Sequence, residues 1–271
     1  MLGKLIKNEF KSTAHSMFGV FLAAGVTFVI MLVVFLFKVK SLMIISSIAL
    51  GAIAVAVLII TLFSIISMFN KSLYGAQGYL SFTLPVTGKQ LLAAKTIVSL
   101  IWVSISFLFA IAVTAFLIVY WVAQTSENIK QVVQTIYDML RTMEGMPDPQ
   151  TALKFIIVMV VVLFVLALFL IFKVAFSLAV ANTKRFQSHN PIFIAILIYI
   201  GLYFVQIVGN VAAAYIPVYL TIGSEGLGLA VGDTVNAFMA IPILGYVFQA
   251  VVCVLLYVAT GNIMTNKINI K

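Results

Sequence analysis

The feature that most constrains this chain is a series of uninterrupted apolar runs, each about twenty residues long or longer. A helix of roughly 20 apolar residues spans the hydrocarbon core of a bilayer. The strands of a membrane β-barrel instead alternate apolar and polar residues, so these runs disfavour a barrel. We therefore expect an all-α integral membrane protein in which residues 1–271 form a single transmembrane domain. We predict six transmembrane helices, over residues 17–37, 42–69, 96–123, 155–181, 192–216 and 238–260.

The composition agrees with a chain that is solvated by lipid. Of the 271 residues, 64% are hydrophobic and only 8% are charged, whereas about 25% of a soluble domain is charged. This composition excludes a soluble enzyme, a soluble DNA-binding protein and a disordered tail. The single cysteine, Cys253, excludes a disulfide within the chain. We attribute the net charge of +9 to lysines that face anionic lipid, and not to nucleic-acid binding.

The distribution of basic residues predicts that both termini face the cytoplasm, because cytoplasmic loops carry an excess of Lys and Arg. Glu9 is then the only acidic residue on the cytoplasmic side, and Lys173 is the only formal charge within a predicted span. The outer segments hold Lys38, Lys40, Lys130, Arg141 and Lys154. The cytoplasmic segments hold Lys4, Lys7, Lys11, Lys71, Lys89, Lys95, Lys184, Arg185, Lys267 and Lys271.

The N-terminal segment, from Met1 to His15, is basic and amphipathic. Its apolar side chains, Leu2, Leu5, Ile6 and Phe10, fall on one helical face, and Lys4, Lys7, Asn8 and Lys11 fall on the other. This pattern predicts a short helix that lies in the inner membrane interface. The alternative is that the lysines act only as a topology signal.

A second amphipathic helix is predicted between spans three and four, on the outer side, over residues 124–151. Apolar residues recur there at helical spacing, and Gly145, Pro147 and Pro149 end the pattern. This helix either gates a pathway, rests on the bilayer or caps the bundle.

The sequence offers no candidate for catalysis or metal binding. No predicted span contains Asp or Glu, which argues against a proton-driven antiporter but leaves sodium sites built from backbone carbonyls open. His15 and His189 belong to no metal-binding spacing. Gly88-Lys89 resembles the end of a phosphate-binding loop, but Gln90 stands where that loop needs Ser or Thr. We therefore predict no catalytic residue, no metal and no bound cofactor in this chain.

The inner segment from Asn70 to Lys95 is too apolar for a solvated loop. Pro85 interrupts a helix, and Thr87 can cap a new helix that begins near Gly88. We expect a short helix, a break and a second helix that enters the membrane. Such a structured, apolar inner loop favours docking of a soluble partner, and the alternative is a re-entrant elbow without a partner. A second candidate for docking is the loop over residues 182–190.

Two stretches of the sequence resemble the ABC-2-type transporter permeases. The first is the pattern G-Y-L-x-F-T-L-P-V-T-x-x-Q-L-L-x-x-K from Gly78 to Lys95, and the second is the opening M-L-G-K-L-I-K-N-E-F-K. The opening is similar to that of members of this group from Gram-positive bacteria. The span count and the long outer segment agree with the family. One departure is Ala76-Gln77, where relatives often have an acidic pair.

The resemblance implies a dimeric permease domain over the whole chain, in a bacterial cytoplasmic membrane. The inner loop would form a coupling helix in a groove of a separate ABC ATP-binding subunit, and that subunit would bind ATP and Mg. The partners would be this ATPase, a second permease chain and membrane lipid. The family exports drugs, antimicrobial peptides, lipids or polysaccharides. The residues expected at the docking site are Tyr74, Gln77, Gly78, Tyr79, Leu80, Phe82, Leu84 and Pro85.

Polar residues in the later spans form the other candidate site. Tyr199, Tyr203, Gln206 and Asn210 lie on one helical stripe, which indicates a translocation path, a dimer face or ordinary hydrogen bonding between helices. Lys173 either snorkels to the interface or faces a polar cavity, an anionic lipid or a substrate. An ATP-independent channel or secondary carrier, and a membrane scaffold without transport, remain the alternative functions.

Overall fold

The computed structural model describes residues 2–37, 40–70, 73, 87–125, 149–186, 189–223, 226–232 and 239–266. These ranges contain six helices that are long and apolar enough to cross a membrane. The prediction of a helical, multi-pass membrane protein is confirmed to this extent, while the orientation stays a prediction. The helices are α1 (Leu2–Phe37), α2 (Lys40–Phe69), α3 (Gly88–Thr125), α4 (Pro149–Ala181), α5 (Pro191–Ala214) and α6 (Ile243–Asn266).

The helices fall into two compact units. In the first unit, α1, α2 and α3 pack against one another around a core of Met31, Leu50, Ala54, Val113 and Tyr120. In the second unit, α4, α5 and α6 pack together, and their core contains Phe169, Phe172, Cys253 and Leu256. The assignment of residues 1–271 to one domain stays a prediction.

The first helix differs from the prediction of a separate interfacial helix at its N-terminus. The N-terminal segment and the first span form one continuous helix, α1, without a break near His15. The physical reason is that no proline interrupts the chain between Leu2 and Phe37, so the hydrogen-bonded ladder continues. The hydroxyl of Thr13 donates back to the carbonyl oxygens of Glu9 and Phe10 within the helix and does not cap a new one. Whether its first turns lie in the interface stays a prediction.

The start of α3 confirms the predicted cap at Thr87. The backbone N–H of Gln90 donates to Oγ1 of Thr87, and the backbone N–H of Thr87 donates to Oε1 of Gln90, each over 3.3 Å. This reciprocal pair is a capping box, which satisfies two of the N–H groups that a helix start leaves unpaired. The helix that enters the third span therefore begins at Gly88, eight residues before the predicted boundary at 96.

The segment between α5 and α6 contains a small antiparallel sheet that the sequence analysis did not predict. Its strands are β1 (Val218–Gly223), β2 (Gly226–Val231) and β3 (Met239–Pro242), in the order β2-β1-β3. In the register, Leu220 pairs with Leu229 on one side and with Ile241 on the other. After β2, Gly232 adopts a φ of 126°, a backbone conformation that favours glycine.

The start of the sixth span was predicted wrongly, at residue 238. The apolar residues Met239–Pro242 belong to β3, and α6 begins at Ile243. Proline disfavours the helical conformation of the residue before it, so the helix starts only after Pro242. Because β3 is an edge strand, the missing N–H of Pro242 is tolerated there.

Two predicted elements lie outside the described residues. The coupling helix of the inner loop falls within residues 74–86, and most of the outer amphipathic helix falls within residues 126–148.

Candidate functional site

Lys173 gathers three of the polar residues predicted on the stripe of α5. Its Nζ atom donates a hydrogen bond of 2.7 Å to Oε1 of Gln206. The ring centroids of Phe169, Tyr199 and Tyr203 lie 4.7, 5.2 and 5.6 Å from the same atom. The lysine itself is only 5% exposed. We call these five residues the Lys173 cluster.

The ammonium lies near the middle of the membrane-spanning part of the second unit. Lys173 precedes the end of α4 at Ala181 by eight residues, about 12 Å of helix. Its side chain extends away from that end, toward Phe169, which is the midpoint of the apolar stretch Ile157–Ala181. On α5, Tyr203 lies close to the midpoint of the helix. A snorkelling lysine would point the other way, toward the nearer interface.

No carboxylate neutralises this ammonium within the part of the chain that the structure describes. Glu9 is the only acidic residue in those ranges, and it pairs with Lys95 in the first unit. The other acidic residues of the chain lie in the segments between the apolar spans. The partners of Lys173 in the described residues are therefore an amide oxygen and three ring faces, which carry no net charge.

Such neutral partners are sufficient to hold a cation at this depth. Placing a lysine at the centre of a membrane helix costs about 2.5–3.5 kcal/mol on insertion scales. Each cation–π contact contributes about 0.5–2 kcal/mol, and a hydrogen bond to a charged group contributes about 1.5–3 kcal/mol. These contacts thus offset the free-energy cost of burying the ammonium. Because the partners are neutral, they do not cancel its charge, and the site keeps a positive potential.

Asn210, the fourth residue of the predicted stripe, contacts α6 and not Lys173. Its Oδ1 atom accepts a hydrogen bond of 3.1 Å from Nε2 of Gln249, while the buried Oε1 of Gln249 has no hydrogen-bond partner in the described structure. One position earlier in the chain, Gly209 lies against the ring of Phe248, and a Cβ atom at that glycine would overlap with the ring. This part of the stripe therefore holds α5 and α6 together.

The first unit contains a second polar cluster, in which the N-terminal part of α1 is fixed to α3. Nζ of Lys95 lies 2.7 Å from Oε1 of Glu9, and the lysine side chain has no exposed surface. Phe10 stacks on Trp102 with ring centroids 4.9 Å apart. Nε1 of Trp102 donates a hydrogen bond of 2.9 Å to Oγ1 of Thr13. We call these five residues the N-terminal clamp.

Other predicted site residues cannot be placed. The expected docking residues Tyr74, Gln77, Gly78, Tyr79, Leu80, Phe82, Leu84 and Pro85 lie outside the described residues. Among the described side chains, no three His, Cys, Asp or Glu residues gather into a metal-ligand set. A cavity of about 340 Å³ between α4 and α6 has only apolar or aromatic walls and a buried thiol, and it includes Phe172 and Cys253.

Some contacts of both clusters were not predicted, although the sequence contains a signal for each. Phe169 precedes Lys173 by four residues, which places the two on one helical face. A further unpredicted contact lies outside both clusters: Asn210 was predicted on the stripe of α5, but its pairing with Gln249 of α6 was not. Glu9 is the only acid predicted on the cytoplasmic side, and Lys95 is the last residue before the predicted third span, so their pairing was the simplest way to neutralise both.

Comparison with known proteins gives no match: no protein-family model, no curated protein and no solved structure is similar to this chain at a significant level.

Proposed function

We propose that this chain is the membrane-spanning permease subunit of an ABC exporter, which forms the translocation pathway as a dimer and is driven by a separate ATPase. The proposal starts from the resemblance of Gly78–Lys95 and Met1–Lys11 to ABC-2-type permeases. Six helices of membrane-spanning length agree with it. ATP and Mg would bind to the partner subunit, in a bacterial cytoplasmic membrane.

The observation that carries the proposal is the Glu9–Lys95 ion pair. Glu9 belongs to the opening stretch of the resemblance, and Lys95 is the last residue of the loop pattern, so the pair joins the two stretches. The capping box at Thr87 starts α3 directly after the loop. A force on the loop would thus pass into α3 and, through the N-terminal clamp, into α1. A coupling loop has to transmit such a movement to the spans.

The Lys173 cluster supports transport over a scaffold role. An ionisable residue held near the middle of a span is costly, and such residues commonly mark the path of a substrate or an ion. A scaffold gains nothing from an ammonium that is surrounded by neutral groups. The cluster alone does not separate an ABC permease from an ATP-independent carrier, so the test has to address the ATPase.

The experiment is co-purification with the ATP-binding subunit encoded in a neighbouring reading frame. We expect the wild-type chain to retain this subunit in detergent. The double variants Tyr79→Ala/Leu84→Ala and Phe82→Ala/Leu84→Ala should release it, or uncouple its ATP hydrolysis from transport, because a few apolar anchors provide most of the energy of an interface. Both variants should still insert and dimerise, since their spans are unchanged.

The matched control is Leu229→Ala, which removes an equally large apolar side chain that is 69% exposed on β2, at the predicted outer side. It should leave the ATPase bound. If both double variants retain the subunit and coupled transport, the docking site lies elsewhere, and residues 182–190 are the next candidate. Failure of the wild type to bind any such ATPase would contradict the proposal and favour a carrier or scaffold.

A further inference from the structure

We infer that the Lys173 cluster binds the anionic group of an amphiphile, a molecule with a negatively charged head and an apolar body. That this molecule is the transported substrate rests on the proposed function; that it binds at Lys173 does not. The inference combines three observations: the charge of the cluster, its cover and the surface around that cover.

The charge of the cluster selects an anion. Lys173 donates to Gln206 and faces three rings, and the described residues offer it no carboxylate. An ammonium has three N–H donors, and the described structure gives only one of them a hydrogen-bond acceptor. An incoming phosphate, sulfonate or carboxylate oxygen can accept from the others. In the low dielectric of a span, this charge-assisted contact is stronger than it would be in water.

The ammonium of Lys173 is covered on one side by the ring of Tyr203. Lys173 is 5% exposed, but Tyr203, whose ring faces the ammonium, is 51% exposed. The ring of Tyr203 thus extends from the ammonium to the exposed face of α5. In addition, α5 has the least buried apolar stretch of the six candidate spans, with 6% of its residues buried against 17–28% for the others. Rotation of Tyr203 therefore opens the site without unpacking the core around Phe169.

The surface around this cover is apolar. Ile200 and Ile207 stand three positions before and four positions after Tyr203, which makes them its neighbours on the helix surface. They are 44% and 41% exposed. A ligand that reaches the ammonium past Tyr203 consequently lays its body along isoleucine side chains. A small, strongly hydrated anion would lose its water shell on this route and gain no apolar contact in return.

The test is equilibrium binding of radiolabelled decyl phosphate to the purified full-length chain in nanodiscs of phosphatidylcholine alone. We expect Lys173→Gln to weaken binding at least tenfold, because it removes the charge and keeps a polar group. Lys173→Arg, which restores the charge, should stay within about threefold of the wild type. Decyl trimethylammonium, which has the same tail and the opposite charge, should not lose affinity in Lys173→Gln.

The matched control is Lys154→Gln, which removes a lysine from the same helix far from Gln206, and it should bind decyl phosphate like the wild type. The thermal unfolding midpoint and the elution volume of each variant show that it is folded. Wild-type affinity in a folded Lys173→Gln protein would overturn the inference. An equal loss in Lys154→Gln would also overturn it, because the effect would then reflect general charge.

Two competitors identify the source of the anionic group. Inorganic phosphate should displace decyl phosphate at least tenfold less effectively than unlabelled decyl phosphate does, and equal competition would contradict the requirement for an apolar body. Nanodiscs containing phosphatidylglycerol should lower the binding of decyl phosphate if the headgroup of a membrane lipid occupies the site. Unchanged binding in those nanodiscs would instead support an amphiphile that is not a bulk lipid.

This assay contains no ATPase, so the two proposals fail separately. Binding that depends on Lys173 in a chain that retains no ATP-binding subunit would support the site and contradict the exporter. Co-purification of the ATPase with a chain whose binding of decyl phosphate does not depend on Lys173 would support the exporter and contradict the site.

Discussion

The two units each bury a lysine, and they treat its charge in opposite ways. In the first unit, Lys95 is fully buried and paired with the carboxylate of Glu9 at 2.7 Å. In the second unit, Lys173 is almost as buried, but its partners in the described residues are an amide oxygen and three aromatic rings. An ion pair neutralises a charge and fixes two helices, whereas neutral partners stabilise the charge and leave its field in place. The first arrangement suits a structural contact and the second suits a binding site.

The largest effect that this comparison predicts comes from breaking the ion pair. Glu9→Ala leaves the buried ammonium of Lys95 without its carboxylate, and the loss of one partner from a buried pair costs about 3–5 kcal/mol. Because Glu9 is 12% exposed, we expect a value near the lower end. Thermal and chemical unfolding in detergent measure it, with Lys7→Ala on the exposed side of α1 as the control.

The control should change the free energy of unfolding by less than about 0.5 kcal/mol, as surface substitutions usually do. The double variant Glu9→Ala/Lys95→Met should recover most of the loss, since it removes the buried charge of the lysine as well. If Glu9→Ala and Lys7→Ala are equally stable, the ion pair does not hold α1 to α3.

A smaller effect is expected in the second unit, where close packing of Gly209 against Phe248 holds α5 to α6. Gly209→Ala places a Cβ atom where it overlaps with the ring of Phe248, and overpacking of this kind costs about 1–3 kcal/mol. Gly201→Ala is the control on the same helix, because no described atom outside its own turns of α5 lies within 4 Å of its Cβ position. The control should be neutral or slightly stabilising, since alanine favours helix more than glycine does.

The unfolding midpoints of these two glycine variants show whether close packing at Gly209 stabilises the contact between α5 and α6. A lower midpoint for Gly209→Ala alone supports close packing of α5 on α6. Equal midpoints would mean that the ring of Phe248 moves aside without cost, and that α5 is held mainly through polar contacts such as Lys173–Gln206 and Asn210–Gln249.

The smallest effect concerns the neutral part of the N-terminal clamp. Trp102→Phe keeps an aromatic ring against Phe10 but removes the hydrogen bond to Thr13. The loss of one such bond should cost about 1 kcal/mol. Trp121→Phe, at a tryptophan that is 47% exposed, is the control and should be close to neutral. A loss for Trp102→Phe as large as that for Glu9→Ala would show that the indole and its hydrogen bond to Thr13 contribute as much to the clamp as the ion pair does.

Much of the helical architecture follows from the sequence because apolar runs of this length have one stable form in a bilayer. The six helices were predicted for this reason, whereas the cap at Thr87 was predicted because threonine caps helix starts and follows the break at Pro85. Their ends were less predictable, since α1 continues through its basic N-terminal turns and α6 begins only after Pro242. The small sheet was missed because its strands are short and its third strand reads as a continuation of the sixth apolar run.

The candidate site was predicted in part. Helical spacing placed Tyr199, Tyr203 and Gln206 on one face, and the lone charge in a span identified Lys173. Spacing within one helix cannot say which residue of another helix completes a contact. For this reason the bond between Lys173 and Gln206, the bond between Asn210 and Gln249, and the ion pair of Glu9 with Lys95 required the structure.

The central claim is that Lys95 serves the structure and Lys173 serves a ligand. The most direct measurement compares Lys95→Met and Lys173→Met for unfolding midpoint and for decyl phosphate binding in phosphatidylcholine nanodiscs. We predict that Lys95→Met lowers the midpoint and keeps the binding. Lys173→Met should keep the midpoint and weaken binding at least tenfold. A Lys173→Met protein that binds decyl phosphate like the wild type but unfolds as easily as Lys95→Met would contradict the claim, because both lysines would then be structural.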